Sequence, residues 1–192
     1  MATQKQRSDA TRAQLLKAFC TSFLRRGFEA TTTQQVLNQT GLSKGAMYHH
    51  FKSKTEIAEA LYAEESKSAI GRALQKVENV SSPIEKLKGA CLAWTEEVRV
   101  PRVSKILFEI GPSALGPEKA KEIEDSLSLK LIERLLEEAV DAGDIGTTHP
   151  KLIAAFLNSL VAEAALYSLR TGKESVDILA ATIDALFASL RD

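Results

Sequence analysis

The sequence predicts an all-α fold of about nine helices, and three observations carry that expectation. Apolar residues recur at three- and four-residue spacing along nearly the whole chain. No stretch alternates apolar and polar residues as a half-buried strand does, and the run Thr31, Thr32, Thr33 is strand-like in composition but too short to pair. Proline and glycine fall at the ends of the periodic stretches, where helices start and stop.

Taken in order, the first helix is expected to start at Ser8 or Asp9, either of which can cap its free N–H groups. Leu15, Leu16, Phe19 and Phe23 then share one face, and Gly27 stops the helix after Arg25 and Arg26. Phe28 is placed to fold back on it. Thr32 caps a short helix over residues 33–39, and Gly41 makes a turn. Ser43 caps a third helix over residues 44–50, and Thr55 is placed to cap a fourth over 56–77. Ser82-Pro83-Ile84-Glu85 reads as a capping box that opens a helix carrying Leu87, Cys91, Trp94 and Val98. Pro101 ends that helix, a short segment follows over 103–110, and Gly111-Pro112-Ser113-Ala114-Leu115-Gly116 reads as a loop. Pro117 starts a long helix with Ile123, Leu127, Leu131 and Leu135 in one stripe and Ile132, Leu136 and Val140 beside it, closed by Gly143. Helices over 151–169 and from Glu174 or Ser175 onward complete the chain. Three short helices thus form an N-terminal part and six a C-terminal part.

The balanced charge of 25 basic and 25 acidic residues hides a polarised split. Residues 1–54 carry nine Lys and Arg against only Asp9 and Glu29, a balance of +7 that the rest of the chain cancels. A basic head on an acidic body is the electrostatic footprint of a nucleic-acid-binding protein, although charge alone also suits a membrane surface.

The head supplies the sharper signal. Val36 and Leu37 face inward, Gly41 turns the chain, Leu42 plugs the turn, and Met47 and Phe51 anchor the next helix. A helix-turn-helix needs this arrangement, because its second helix must stand out from a very small core to enter the major groove. Ser43 caps the helix start, where the remaining free N–H groups and the helix dipole favour a phosphate, and Gly45 lets the backbone approach base edges. Lys44 suits a guanine edge or a phosphate. Tyr48, His49, His50 and Lys54 suit phosphate oxygens, with Thr32 and Thr33 completing the expected DNA-contacting set. Read singly, Tyr48 also suits the core and the lysines also suit solvent. Adjacent His49 and His50 diverge by about 100° on a helix and cannot chelate one ion, so no metal is expected.

The run Gly27-Phe28-Glu29-Ala30-Thr31-Thr32, followed by Gly41-Leu42-Ser43-Lys44-Gly45-Ala46-Met47-Tyr48-His49-His50-Phe51-Lys52-Ser53-Lys54, resembles the DNA-binding signature of the TetR family of repressors. Leu37 and Thr40 depart from it, standing where that family usually has alanine, which would set the two helices slightly apart. The resemblance covers about the first third of the chain. It implies a homodimer of Ω-like all-helical shape, a ligand pocket in the body, and repression of transcription relieved when ligand binds. The division it suggests is a DNA-binding domain over 1–54 and a ligand-binding and dimerisation domain over 55–192.

The body adds physical support. The 151–169 helix is apolar nearly all round apart from Asn158, Ser159, Glu163 and Ser168, so it must be covered on more than one side. Small residues at Ala180, Ala181, Ala185 and Ala188 would admit a close neighbour to the last helix. A dimer interface over Phe156, Leu160, Ala164, Ala181, Ala185 and Phe187 follows, with the two helices pairing with their symmetry mates as a four-helix bundle. The alternative is that the two helices bury each other within one subunit. For a pocket, Cys91, Trp94, Phe108, Leu131 and Leu135 are the candidates by position, and each also suits plain core. With few aromatics and no evident inward cation, the expected ligand is small and neutral or apolar. Glu163 would suit an amine, and a surface glutamate explains it equally.

Other function classes find less support. No Ser/His/Asp constellation, metal motif or nucleotide fingerprint occurs, so neither an enzyme nor a cofactor is expected. Cys20 and Cys91 form no CxxC and read as reduced thiols, and acidic Glu96 and Glu97 beyond Cys91 argue against a redox sensor. The longest apolar run, 152–157, is far short of the roughly 20 residues of a spanning helix, so a cytoplasmic protein without membrane contact is expected. An all-helical protein-binding adaptor is the rival reading. It would explain the body but not the basic head.

Overall fold

A computed structural model describes residues 3–146 and 149–191 and is all-helical over them, with no strand among the described residues. The elements are α1 (Gln4–Arg26), α2 (Thr33–Thr40), α3 (Lys44–His50), α4 (Lys54–Lys76) and α5 (Pro83–Glu97). They continue with α6 (Pro101–Lys105), a π turn (Ile106–Ile110), α7 (Gly111–Leu115), α8 (Pro117–Asp141), α9 (Pro150–Thr171) and α10 (Val176–Ala188). Because α6, the π turn and α7 run on without a break, the described residues form nine helical stretches.

Two compact units result, and they do not follow chain order. The first runs to Glu65 and also takes in Lys105–Lys121, while the second holds Ser66–Ser104 and the chain from Glu122 onward.

In the first unit α1 packs against α2, α3 and the π turn. Leu15, Phe19, Phe23, Val36, Met47 and Ile57 are the fully buried anchors. Phe28 does fold back, its ring centroid 5.6 Å from that of Phe23, which in turn lies 5.7 Å from Phe19.

Three boundaries differ from expectation. Helix α1 begins at Gln4, not at Ser8 or Asp9, because Thr3 and Gln6 form a capping box: Thr3 Oγ1 accepts from the Gln6 N–H and Gln6 Oε1 from the Thr3 N–H. Helix α4 is capped by Ser53 rather than Thr55: Ser53 Oγ accepts from the Glu56 N–H at 3.0 Å, and the Glu56 carboxylate accepts from the Lys52 N–H. The stretch expected to be a loop at 111–116 is helical to Leu115 and ends on Gly116 at φ +81°. Proline in mid-helix lacks a donor and crowds the preceding turn. Here the turn before Pro112 is widened to π geometry, with the Gly111 N–H donating to the Ile106 carbonyl, which makes room for the ring. Gly111 itself is required by space: a Cβ there would lie 2.1 Å from Tyr62 Cδ2.

In the second unit α5 packs on α9 and α10, and α9 on α10. Leu87, Leu136, Leu157 and Ile183 are at its centre. The buried face of α8 is Ile132, Leu135, Leu136 and Ala139, one step round from the expected stripe, whose Ile123, Leu127 and Leu131 are half-buried. Lys88 Nζ binds Asp184 at 2.6 Å and ties α5 to α10. Ser175 Oγ donates to the Ala164 carbonyl at 2.9 Å and meets Ser168 Oγ, closing the corner between α9 and α10. At the other end of α5, Glu97 takes Arg72 Nε at 2.6 Å and Lys76 Nζ at 3.0 Å. These two cations hold the Glu97 carboxyl below its ordinary range, and Glu97 with Glu96 raises the Lys76 ammonium above its own.

Candidate nucleic-acid interface

The turn between α2 and α3 is built from local hydrogen bonds. Thr32 Oγ1 accepts from the Gln35 N–H at 3.3 Å to start α2. Gly41 closes it at φ +70°, a conformation that disfavours any side chain, with its N–H on the Leu37 carbonyl. The two departures from the family pattern have structural work to do. Thr40 Oγ1 donates to the Val36 carbonyl at 3.1 Å and accepts from the Leu42 N–H at 3.4 Å, bracing the turn. Leu37 is buried in the head's core.

Ser43 Oγ accepts from the Ala46 N–H at 3.0 Å and starts α3, with Met47 and Phe51 buried beneath it. The outer face presents Lys44, Gly45, Tyr48 and His49, all exposed, with His50 half-buried beside them. Tyr48 is 57% exposed, which settles it as a surface residue and not a core one. Thr32 is exposed at the start of α2 and Thr33 half-buried. Gly45 is the telling position. A Cβ there would meet nothing inside 3.8 Å, and the one atom at that distance is Ser43 Oγ. Glycine costs a helix about 0.5–1 kcal/mol relative to alanine. No contact within the fold requires glycine at this position.

Lys54 sits differently from the expectation of a phosphate contact. Its Nζ donates to the carbonyls of Phe28 (2.8 Å) and Thr31 (3.1 Å) and lies 4.0 Å from the centre of the Phe28 ring. Two of its three donors are thereby committed to the loop between α1 and α2. This could not be read locally, because the partners lie 26 and 23 residues away.

An open groove borders α3, lined by Gln4, Lys5, Arg7, Ser8 and Thr11 of α1 and by Ala46, His49 and His50 of α3. Gln4, Lys5 and Arg7 of the α1 wall lie ahead of Ser8 and Asp9, the expected start of α1, and carry no apolar stripe to mark them in the sequence. The Thr-x-x-Gln signal at Thr3 is their one local mark.

The expected pocket residues divide between the units. Cys91 and Leu135 lie in the core cluster of the second unit, with Trp94 and Leu131 half-buried against it. Phe108 lies on the π turn, within the first unit. Burial pushes the Cys91 thiol up to about 12, the opposite of a reactive cysteine. Of the expected interface residues, Phe156, Ala181 and Ala185 are exposed, and Leu160 and Ala164 half-buried. Phe187 is a correction: it is 3% exposed, one step of the Leu179, Ile183, Phe187 stripe that faces the protomer's own core. Leu152, Tyr167 and Ile178 are further large apolar side chains left exposed on α9 and α10. Among the described residues α9 is also the one helix long and apolar enough to cross a membrane, at mean hydropathy 1.6, which the short run 152–157 did not disclose.

The sequence profile described as bacterial regulatory proteins, tetR family, matches residues 15–61. That of the tetracyclin repressor-like C-terminal domain matches 84–190. The HTH-type transcriptional repressor KstR2 of Mycolicibacterium smegmatis is 29% identical over 122 residues, 64% of this chain and 56% of its own length. The chain thus spans little more than half of that relative. The HTH-type transcriptional regulator YfiR of Bacillus subtilis is 26% identical over 85% of this chain and 83% of its own length. A TetR-family regulator from Pectobacterium atrosepticum shares the fold at TM-score 0.73 and 23% identity, covering 99% of this chain and 96% of its own. With its helix-turn-helix, its exposed α3 face and both halves matched, the chain belongs to the TetR family of DNA-binding transcriptional regulators.

Proposed function

We propose that this protein is a cytoplasmic repressor that holds a palindromic DNA operator as a homodimer and is released from it by a small, neutral or apolar ligand. The observation that carries the reading is Gly45, a helix glycine that the fold itself does not need, on the exposed face beside Lys44, Tyr48 and His49. DNA is the partner for which such clearance has a use, because it allows base edges to approach the backbone closely. In this reading Lys44 reads a base edge, and Ser43, Tyr48, His49, His50, Thr32 and Thr33 hold phosphates. The head corresponds to residues 1–54 and the ligand-binding and dimerisation part to 55–192.

A second copy explains why α9 and α10 leave Leu152, Phe156, Tyr167 and Ile178 exposed beside small Ala181 and Ala185. Large apolar side chains left exposed on two packed helices suit an interaction surface. Two α3 helices in such a dimer would enter successive major grooves about 34–36 Å apart. Ligand would pack better with a body conformation that spaces the heads wrongly, and operator affinity would fall by that difference in binding. Cys91, Trp94, Leu131 and Leu135 are the side chains we place nearest the ligand.

The experiment is selection of bound duplexes from a random-sequence pool, with the size of the complex measured. An inverted repeat carrying an even number of chains is the expected result. A chain that enriches no site, and whose weak DNA binding has no sequence preference, would overturn the reading in favour of an adaptor.

A further inference from the structure

Helix α1 buries nothing before Leu15. Its first seven residues, Gln4 to Ala10, extend about 10 Å at 1.5 Å per residue with none of them buried and only Ser8 half-buried. Apolar burial supplies most helix stability in proteins, so an overhang of this length needs other support. The chain provides it with the Thr3–Gln6 capping box, and Thr11 Oγ1 adds a hydrogen bond to the Arg7 carbonyl at 3.0 Å.

The overhang places charge beside α3. Lys5 and Arg7 line the open groove whose other wall carries His49 and His50, and no carboxylate lines it; Asp9, the one acidic residue of these turns, is not among the lining residues. Neither cation has an ion-pair partner among the described residues. Arg12, one turn further on, shows the contrast: it is held by Glu64 at 3.1 Å and lies 5.2 Å from the centre of the Phe51 ring. The cation over the core is committed to the fold, whereas Lys5 and Arg7 are exposed at the groove.

We propose that this groove is a second DNA-contacting site, which seats a sugar-phosphate strand flanking the bases read by α3, with Lys5 and Arg7 each holding a phosphate. The inference rests on the reading of α3 as the base-reading helix, since the groove shares that wall. Its occupant is anionic by charge complementarity, and the continuity of the groove with α3 makes it the same duplex. The overhang contributes affinity and register without sequence information, because it touches backbone only.

The test uses the full chain and the duplex enriched from the random pool, with affinity measured across a salt series. Each phosphate contact contributes about 0.9 to the slope of log affinity against log salt, so K5A/R7A should lower that slope by about 1.8 per subunit. Its order of preference among duplexes should stay that of the wild type. Alanine favours helix, so the overhang itself persists in this variant. Lys17→Ala, an exposed cation of α1 outside the groove, should leave the slope unchanged. Trimming the duplex just outside the base-read half-sites should cost the wild type affinity and cost K5A/R7A almost none. An unchanged slope in K5A/R7A, or an equal loss from Lys17→Ala, would overturn the groove while leaving the role of α3 intact. A wild type that enriches no duplex would overturn both.

Discussion

Lys54 Nζ donates to the carbonyl of Phe28 at 2.8 Å across 26 residues of sequence, and so joins the start of α4 to the loop between α1 and α2. The same ammonium reaches the carbonyl of Thr31, a residue with no solvent exposure. Replacing it with an apolar chain of similar length would leave these carbonyls short of a donor, at a cost of about 1–3 kcal/mol. Lys54→Met should therefore lower the unfolding free energy by that amount, read from denaturant titration. Its salt slope for DNA should match the wild type, since the ammonium is occupied by the loop. A slope lower by about 0.9 would show that Lys54 reaches a phosphate instead.

Gly45→Ala should separate stability from function in the opposite direction. A Cβ at this position meets open space, so the helix gains about 0.5–1 kcal/mol from the better helix former. Denaturant unfolding should show that gain, and operator binding should weaken because the methyl group stands where the duplex approaches. Unchanged affinity would remove the argument that the space over Gly45 is kept for DNA.

Local signals served well wherever the cause was local. Ser43 and Thr32 as caps, Gly41 as the turn and Pro83 at the start of α5 are all settled by bonds within three or four residues. The Leu179, Ile183, Phe187 stripe is equally regular, yet it does not disclose that Phe187 faces inward, because periodicity shows that a face is apolar but not which neighbour covers it. Gly111-Pro112 reads as a break because neither the widened turn before Pro112 nor the packing of Gly111 on Tyr62, about fifty residues earlier, leaves a local mark in the sequence. The overhang of α1 is not legible from hydrophobic periodicity, which marks only helices that bury a face. Lys5 and Arg7 lie on the part that buries none.

Gly111 and Tyr62 form a pair whose coupling can be measured. A methyl group at Gly111 would stand 2.1 and 2.4 Å from Tyr62 Cδ2 and Cε2, and the ring is 3% exposed with little room to retreat. Gly111→Ala should destabilise by about 1–3 kcal/mol through overpacking. Combined with Tyr62→Ala, which removes the ring, the added cost of Gly111→Ala should largely vanish. A double variant whose loss equals the sum of the two single losses would show that the methyl group does not meet the ring.

Glu97 gives the second unit a dependence on pH whose sign follows from its partners. The Arg72 guanidinium at 2.6 Å and the Lys76 ammonium at 3.0 Å favour its charged form and hold its carboxyl below the ordinary value of 4.5. The contribution to stability is therefore complete above that value and fades as pH falls through the lower value of the folded state. Lys76, raised by Glu97 and Glu96, works the other way: its share is complete below 10.5 and fades at higher pH. Between these limits the clamp from α4 to α5 should be constant. Glu97→Gln should destabilise the protein near neutral pH and flatten its loss of stability below about 4.5, since the unfolded chain no longer takes up that proton. Melting temperatures across an acid series, wild type beside variant, would check this. Parallel curves through the acid range would mean that Glu97 keeps its ordinary affinity for protons in the folded protein and that the clamp adds nothing to acid stability.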